Sequence, residues 1–209
     1  MKKLFLLAMI VVLSVPVFAQ DEWANNRRMA IHTNIAPLIL GSLLGGFGVE
    51  AGFEYAPISS FSTKVNFSYT GFDPSRFDLV GVEHKAGFTR LGLSLFRVNL
   101  EGRWYPQKHY LSGWFVGGNA QFYRILAIPA TAFTIDDKEI NNGIVDTWSL
   151  FATVGYKVVF RSKQRAAFFI EPVLDLGWKI YSDLPDTPFL AWLLGGAGVR
   201  FNLTLGAAF

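Results

Sequence analysis

The chain has 209 residues, of which 51% are hydrophobic, 16% aromatic and only 17% charged, with a formal net charge of +3. Mean hydropathy is positive, yet beyond residue 20 no apolar run reaches the ~20 residues that a membrane-spanning helix needs. Helical membrane proteins are therefore excluded, and the absence of cysteine excludes disulfides and thiolate metal sites.

The first element is a leader. Lys2 and Lys3 form a basic start, Leu4 to Phe18 an apolar segment broken by Pro16, and Val17 and Ala19 supply small residues at a cleavage site before Gln20. The reading is a signal peptide over 1–19, with no cysteine after it for lipid attachment. Lys2 and Lys3 account for two of the three net positive charges, so the basic isoelectric point says nothing about nucleic acid. Residues 20–28, "QDEWANNRR", read as a polar periplasmic tail.

From Met29 onward, apolar and polar residues alternate with the period of strands rather than helices. Phe47, Val49, Ala51, Phe53 and Tyr55 share one face, against Gly48, Glu50, Gly52 and Glu54 on the other. The same pattern predicts eight strands near 29–40, 46–55, 62–71, 91–105, 113–127, 147–161, 167–181 and 191–209. Most have the nine or more residues that a tilted strand uses to cross a bilayer. The connectors 56–61, 106–112 and 162–166 are short, and those around 72–90, 128–146 and 182–190 are long. Only the first, near 41–45, is short where the alternation calls for a long one. Short periplasmic turns and long outer loops are the habit of outer-membrane barrels. The expected fold is all-β: an eight-stranded antiparallel up-and-down transmembrane β-barrel over 29–209, with both ends on the periplasmic side.

That orientation sorts the aromatics into two girdles. Tyr55, Phe61, Trp104, Tyr105, Trp114, Phe115, Phe160, Phe168 and Phe209 fall at the periplasmic rim. Tyr69, Tyr123, Trp148, Trp178, Tyr181 and Trp192 fall at the outer rim. The opposite face carries Glu50, Glu54, Lys64, Arg97, Glu101, Arg103, Lys157, Arg161, Glu171, Asp175, Lys179 and Arg200, seven positive and five negative. An Arg or Lys facing lipid at mid-depth costs about 2–4 kcal/mol, so these residues are expected in the lumen. Eight strands leave room there only for side chains, and near-balanced charge favours a paired polar plug over a conduction path. A soluble ligand-binding barrel would invert the pattern, apolar inside and polar outside.

Two places depart from this pattern. Pro172 removes a ladder donor inside strand seven and predicts a bulge there. In strand four, outward Phe96, Val98, Leu100 and Trp104 leave Leu91, Leu93 and Leu95 pointing in, unless a bulge changes the parity. By the same parity Leu38, Leu40, Phe151, Trp192 and Leu194 also face inward. They form either ordinary packing at the outer rim or an apolar pocket for a small hydrophobic ligand.

Catalytic signals are weak. His32, His84 and His109 have no Ser or Asp two residues onward, and only His84, in an outer loop, is placed for chemistry at the membrane surface. "DDKEINNG" (136–143) lacks the spacing of a dedicated calcium loop and reads as a solvated tip. The expectation is a non-enzymatic protein with no cofactor, no metal site and no nucleic-acid partner, most simply a monomer. The outer loops are acidic, the periplasmic turns basic.

With leader, eight amphipathic strands and terminal Phe209, the chain resembles the small outer-membrane barrels of the OmpA-barrel, OmpX and OmpW kind. More narrowly, "IHTNIAPLILG…GFGVEAGFEY" followed by "VNLEGRWYPQKHYLSGWFVGG" looks like an uncharacterised family of small bacterial outer-membrane barrels. The resemblance implies localisation in the outer membrane of a diderm bacterium. It also implies insertion by the barrel assembly machinery, read from a C-terminal strand signal at Phe201, Leu203, Leu205 and Phe209. Three roles compete: external contacts, with a ligand or host surface, through the loops; an OmpW-like pocket or channel for small hydrophobic molecules; and a purely structural role.

Overall fold

The computed structural model describes residues 27–35, 37–39, 46–72, 82–84, 92–108, 111–128, 133–135, 138–140, 144–160, 166–182 and 198–209. The leader over 1–19, Leu40, Leu91, His109, Arg161, Trp192 and Leu194 lie outside them, as do the side chains of His84 and Leu93.

Eight strands close into an antiparallel barrel. In chain order they are β1 (Met29–Asn34), β2 (Phe47–Ile58), β3 (Phe61–Phe72), β5 (Gly92–Trp104), β6 (Gly113–Ile128), β9 (Ile144–Val159), β10 (Ala167–Ser182) and β11 (Gly198–Ala208). The remaining elements are β4 (Val82–His84), β7 (Phe133–Ile135) and β8 (Lys138–Ile140), which form a separate three-stranded sheet. Residues 72–90 and 128–146 read as two independent loops in the sequence. The structure instead joins them, pairing Val82 with Ile135 and His84 with Phe133.

Closure is made by β1 pairing with β11. Met29 N donates to Phe209 O (3.0 Å) and Phe209 N to Met29 O (2.8 Å). From there the β1–β11 register runs Ala30↔Ala208 to Asn34↔Thr204. Between β3 and β5 the register is unbroken from Phe61↔Trp104 to Phe72↔Leu93. Strand four of the barrel therefore has no parity-shifting bulge there, and Leu95 belongs to the inward series with Arg97.

Three expectations need correction. The register across Pro172 is preserved: Ile170↔Val158 and Val173↔Gly155 belong to one register, and the ladder only omits the pairs between them. The irregularity lies instead between Lys179 and Tyr181. Tyr105, Phe115 and Tyr123, assigned to the girdles, are buried instead, because each shares the inward parity of its strand. The third correction concerns the first strand, expected to run to residue 40. It ends at Asn34, and Pro37–Ile39 form a helical turn in which Ile39 N donates to Ile35 O (3.1 Å). Proline lacks the N–H that a ladder needs and fits the first turn of a helix. Leu38, expected in the lumen, is consequently 47% exposed.

The early end of β1 leaves a thin seam. Among the described residues β1 makes four ladder pairs with β2 and five with β11, whereas every other neighbouring pair makes ten to fourteen. Above His32↔Gly52 the contacts change character: the Thr33 hydroxyl donates to Glu50 O (2.5 Å), and Ile35 N reaches Leu203 O (3.2 Å).

Candidate functional site: the barrel interior

Alternation sends one residue in two inward, and here the inward series is ionic. Near the end that holds Met29 and Phe209, Lys64, Arg103 and Lys157 meet Glu54, Glu101 and Glu171, three cations against three carboxylates. Arg103 is the hub. Its Nε donates to Glu101 Oε1 (2.7 Å), Nη1 and Nη2 to the two oxygens of Glu171 (2.8 and 2.9 Å), and Nη1 also to Glu54 (3.3 Å). Lys64 Nζ lies 2.9 Å from Glu171 Oε1, and Lys157 bridges Glu54 and, at 3.1 Å, Glu171. Ser62 (2.5 Å) and Tyr105 (2.9 Å) donate hydroxyls to Glu54. Side-chain exposure in this cluster is 4% or less. Charges this dry are tolerable only when paired and hydrogen-bonded, since an uncompensated buried ion costs several kcal/mol.

An apolar floor closes the terminal side. Ala30, Ala56, Leu111, Val159, Ala167, Phe169 and Ala208 pack together, and Tyr105, Phe115 and Val173 form a second cluster beside them. The floor touches the ions directly: the Arg103 guanidinium lies 4.2 Å from the Phe115 ring centre and Lys157 Nζ 4.6 Å from that of Phe169. Glycine makes room for these rings. A Cβ at Gly155 would collide with Phe115, and one at Gly206 with Phe169.

A second tier lies toward the far end. Arg97 pairs with Glu50 and donates through Nε to Ser68 Oγ (3.0 Å). Asp175 accepts from Thr153 (2.8 Å) and Asn202 (2.7 Å), and Asn119 donates to Thr153 (2.9 Å). Arg200 Nη1 donates to Tyr123 OH (2.6 Å) and Gln121 Oε1 (3.0 Å). Lys179 is half-buried on the same inward series. A polar cavity of about 20 Å³, room for about one water, separates the tiers; Glu50, Arg97, Asn99 and Asp175 line it from one side and Lys64, Glu101 and Arg103 from the other. His32, on the inner face, donates through Nε2 to Asn66 Oδ1 (2.6 Å).

Of the sequence's ionic set, every described member sits on this inner face. Of the suggested apolar pocket, Phe151 is buried inside and Leu95 half-buried. Beside Leu95 the inward register continues through Ile125 to Val145, both buried. The sequence reading leaves out the neutral partners Ser62, Asn119, Gln121 and Thr153, and sets Tyr123 at the outer rim. Their signal was the same parity that located the charges. Among the described residues no group of acidic, histidine or cysteine side chains could hold a metal ion.

The outer face is the reverse. Leu100, Phe67, Phe201, Leu176, Leu150 and Phe53 are all exposed, and among the described residues no charge lies between them and the outward rings on their strands. The outermost described part of this face holds one ion pair, Arg124 with Asp146 (2.8 Å), beside Phe122 and Trp148.

No protein-family model matches the chain, and no curated protein does. Among solved structures it is similar to the crystal structure of Acinetobacter baumannii CarO2, at 10% identity over 88% of this chain and 97% of that one, with a TM-score of 0.36. At that degree of overlap the likeness carries no argument about function.

Proposed function

We propose that the chain is an integral outer-membrane barrel protein of a diderm bacterium, non-enzymatic, with a lumen closed by its own ion pairs and with far-end loops available for external contacts. One observation carries this reading: the polarity of the barrel is inverted relative to a protein in water. Charges are buried inside and large apolar side chains are exposed outside, a surface that would associate or aggregate in water and is at rest against lipid. The dry lower cluster and the apolar floor support a closed lumen. In planar bilayers the folded protein is expected to give no discrete conductance steps at neutral pH. Its migration on unheated gels should differ from that of the boiled chain. Regular single-channel openings would refute the closed lumen; identical mobility would refute the barrel.

Assembly rests on the last strand. Phe209 makes both backbone hydrogen bonds to Met29, and Phe201 and Leu205 are exposed outward with it. Deleting Phe209 removes the closing pair and the outward aromatic of the last strand, which we propose as part of the signal for the assembly machinery. The deletion is expected to reduce the heat-modifiable, membrane-inserted fraction several-fold in cells. Wild-type levels of inserted protein would overturn this role.

A second reading, a pocket for small hydrophobic molecules open toward the far end, is favoured by the seam at β1. There, among the described residues, β1 keeps only four ladder pairs with β2, and above them the Thr33 hydroxyl bonds to Glu50 O.

A further inference from the structure

Arg200 is the one described cation whose hydrogen-bonding capacity is conspicuously unused. Its Nη1 is held by Gln121 and Tyr123, and its guanidinium carbon lies 3.6 Å from the centre of the Phe151 ring. The planar group is thus fixed in position by three side chains. Its Nε and Nη2, however, are buried without a hydrogen-bond partner. Those two nitrogens are the side-on edge of a guanidinium, the edge that takes two oxygens of one carboxylate in parallel. Asp175 does not fill it. The nearest Asp175 oxygen is 3.7 Å from Nη2, and both of its oxygens already accept from Thr153 and Asn202. Each unmet buried donor costs on the order of 1–3 kcal/mol, so two on one fixed edge call for an acceptor.

We infer that this edge is a binding site for the carboxylate of a small amphipathic acid entering from the far end of the barrel. It rests on the second reading above, a pocket open to small apolar solutes, and gives that pocket its ligand class. The far tier is the more accessible one: the side chains of Arg200 and Arg97 are 13% and 16% exposed, against 4% or less in the lower cluster, while the two edge nitrogens themselves are buried. Charge selects the ligand. With Asp175 close by, a singly charged carboxylate meets less repulsion than a phosphate dianion. The inward row Leu95, Ile125, Val145 is apolar, which suits a hydrocarbon body and not a second charge.

The test uses purified folded barrel in micelles, with sodium hexanoate as probe and 1-hexanol and sodium chloride as controls. Hexanoate is expected to move one arginine Nε–H resonance in the ¹⁵N spectrum of the wild-type protein and to raise its unfolding midpoint by roughly 5 °C near saturation. In Arg200→Gln that resonance is absent and the midpoint rise is lost. Four results overturn the inference. One is that no arginine side-chain resonance moves with hexanoate, a result independent of whether the variant folds. The others are equal stabilisation of Arg200→Gln, an equal response to chloride, and an adventitious additive effect only, with hexanoate acting solely at micelle-perturbing concentrations. If hexanol stabilises the barrel while hexanoate leaves every arginine unmoved, the pocket stands and the carboxylate site falls. If neither molecule acts, both fall.

Discussion

Arg103→Met is expected to lower the unfolding free energy by about 3–5 kcal/mol, measured as a urea-dependent loss of tryptophan fluorescence from the folded barrel in micelles. Methionine keeps most of the volume of the arginine stem and its contact with Phe115. The loss is therefore electrostatic. Without Arg103 the lower cluster holds Glu54, Glu101 and Glu171 against Lys64 and Lys157 alone, and Glu101 loses the partner that its carboxylate grips at 2.7 Å. Arg103→Lys should recover only part, because one ammonium cannot reach three carboxylates in the fork geometry that Arg103 uses. Removing Arg103 and Glu101 together should cost clearly less than the sum of the two single changes, since the excess charge leaves with its partner. A loss below ~1 kcal/mol for Arg103→Met, the size of an exposed pair, would mean that water reaches the cluster.

The second large effect concerns the other face. Leu100 is 55% exposed on β5, midway between the outward aromatics Trp104 and Phe96. Eight residues at ~3.3 Å each, tilted by about 40°, separate those rings by ~20 Å, which puts Leu100 at the centre of the apolar band. Leu100→Arg is expected to cost about 2–4 kcal/mol in lipid, and Trp104→Arg, at the rim, about 0–1 kcal/mol beyond the lost ring. A water-facing barrel predicts the opposite ranking. There an exposed leucine can become arginine with a change within about ±0.5 kcal/mol. Unfolding titrations in phospholipid vesicles, with both variants compared, separate the two environments.

Much of this was legible because the strand period is two and each face of the sheet carries one kind of side chain. Glu50 and Glu54, or Arg97, Glu101 and Arg103, fall on one parity and leave Phe53 or Leu100 on the other, so strand and face follow together. Near a strand end parity still decides which way an aromatic points, even where its place at the rim suggests a girdle. Tyr105, Phe115 and Tyr123 face inward on that rule, each two residues from Arg103, Gly117 or Gln121, and not in the girdles that their place near the rim suggests. The short β1 was hidden by composition: "APLIL" is apolar enough to continue a strand, and only the missing N–H of Pro37 stops it. The pairing of β4 with β7 was beyond local pattern. It joins residues some fifty apart whose partnership depends on the barrel beneath them. The partners of each charge were equally out of reach, since parity says which residues enter the lumen and not which strand they meet across it.

Those cross-lumen partners have a bearing on how the barrel comes together and apart. Lys64 meets Glu171 across 107 residues of chain, and Lys157 meets Glu54 across 103. Neither pair can form while the sheet is still open, so neither can guide the early hairpins. The cluster acts as a keystone: useless to the half-built arch, and then holding every stone at once. Strand pairs that zip up locally would be completed by one late, chain-spanning event, which favours slow closure and an equally abrupt opening. Amide exchange should then divide the molecule in two. The strands around Arg103 would exchange only by global opening, while the few ladder bonds flanking β1 would be released far more often, making the first strand both the site of closure and the first place to yield.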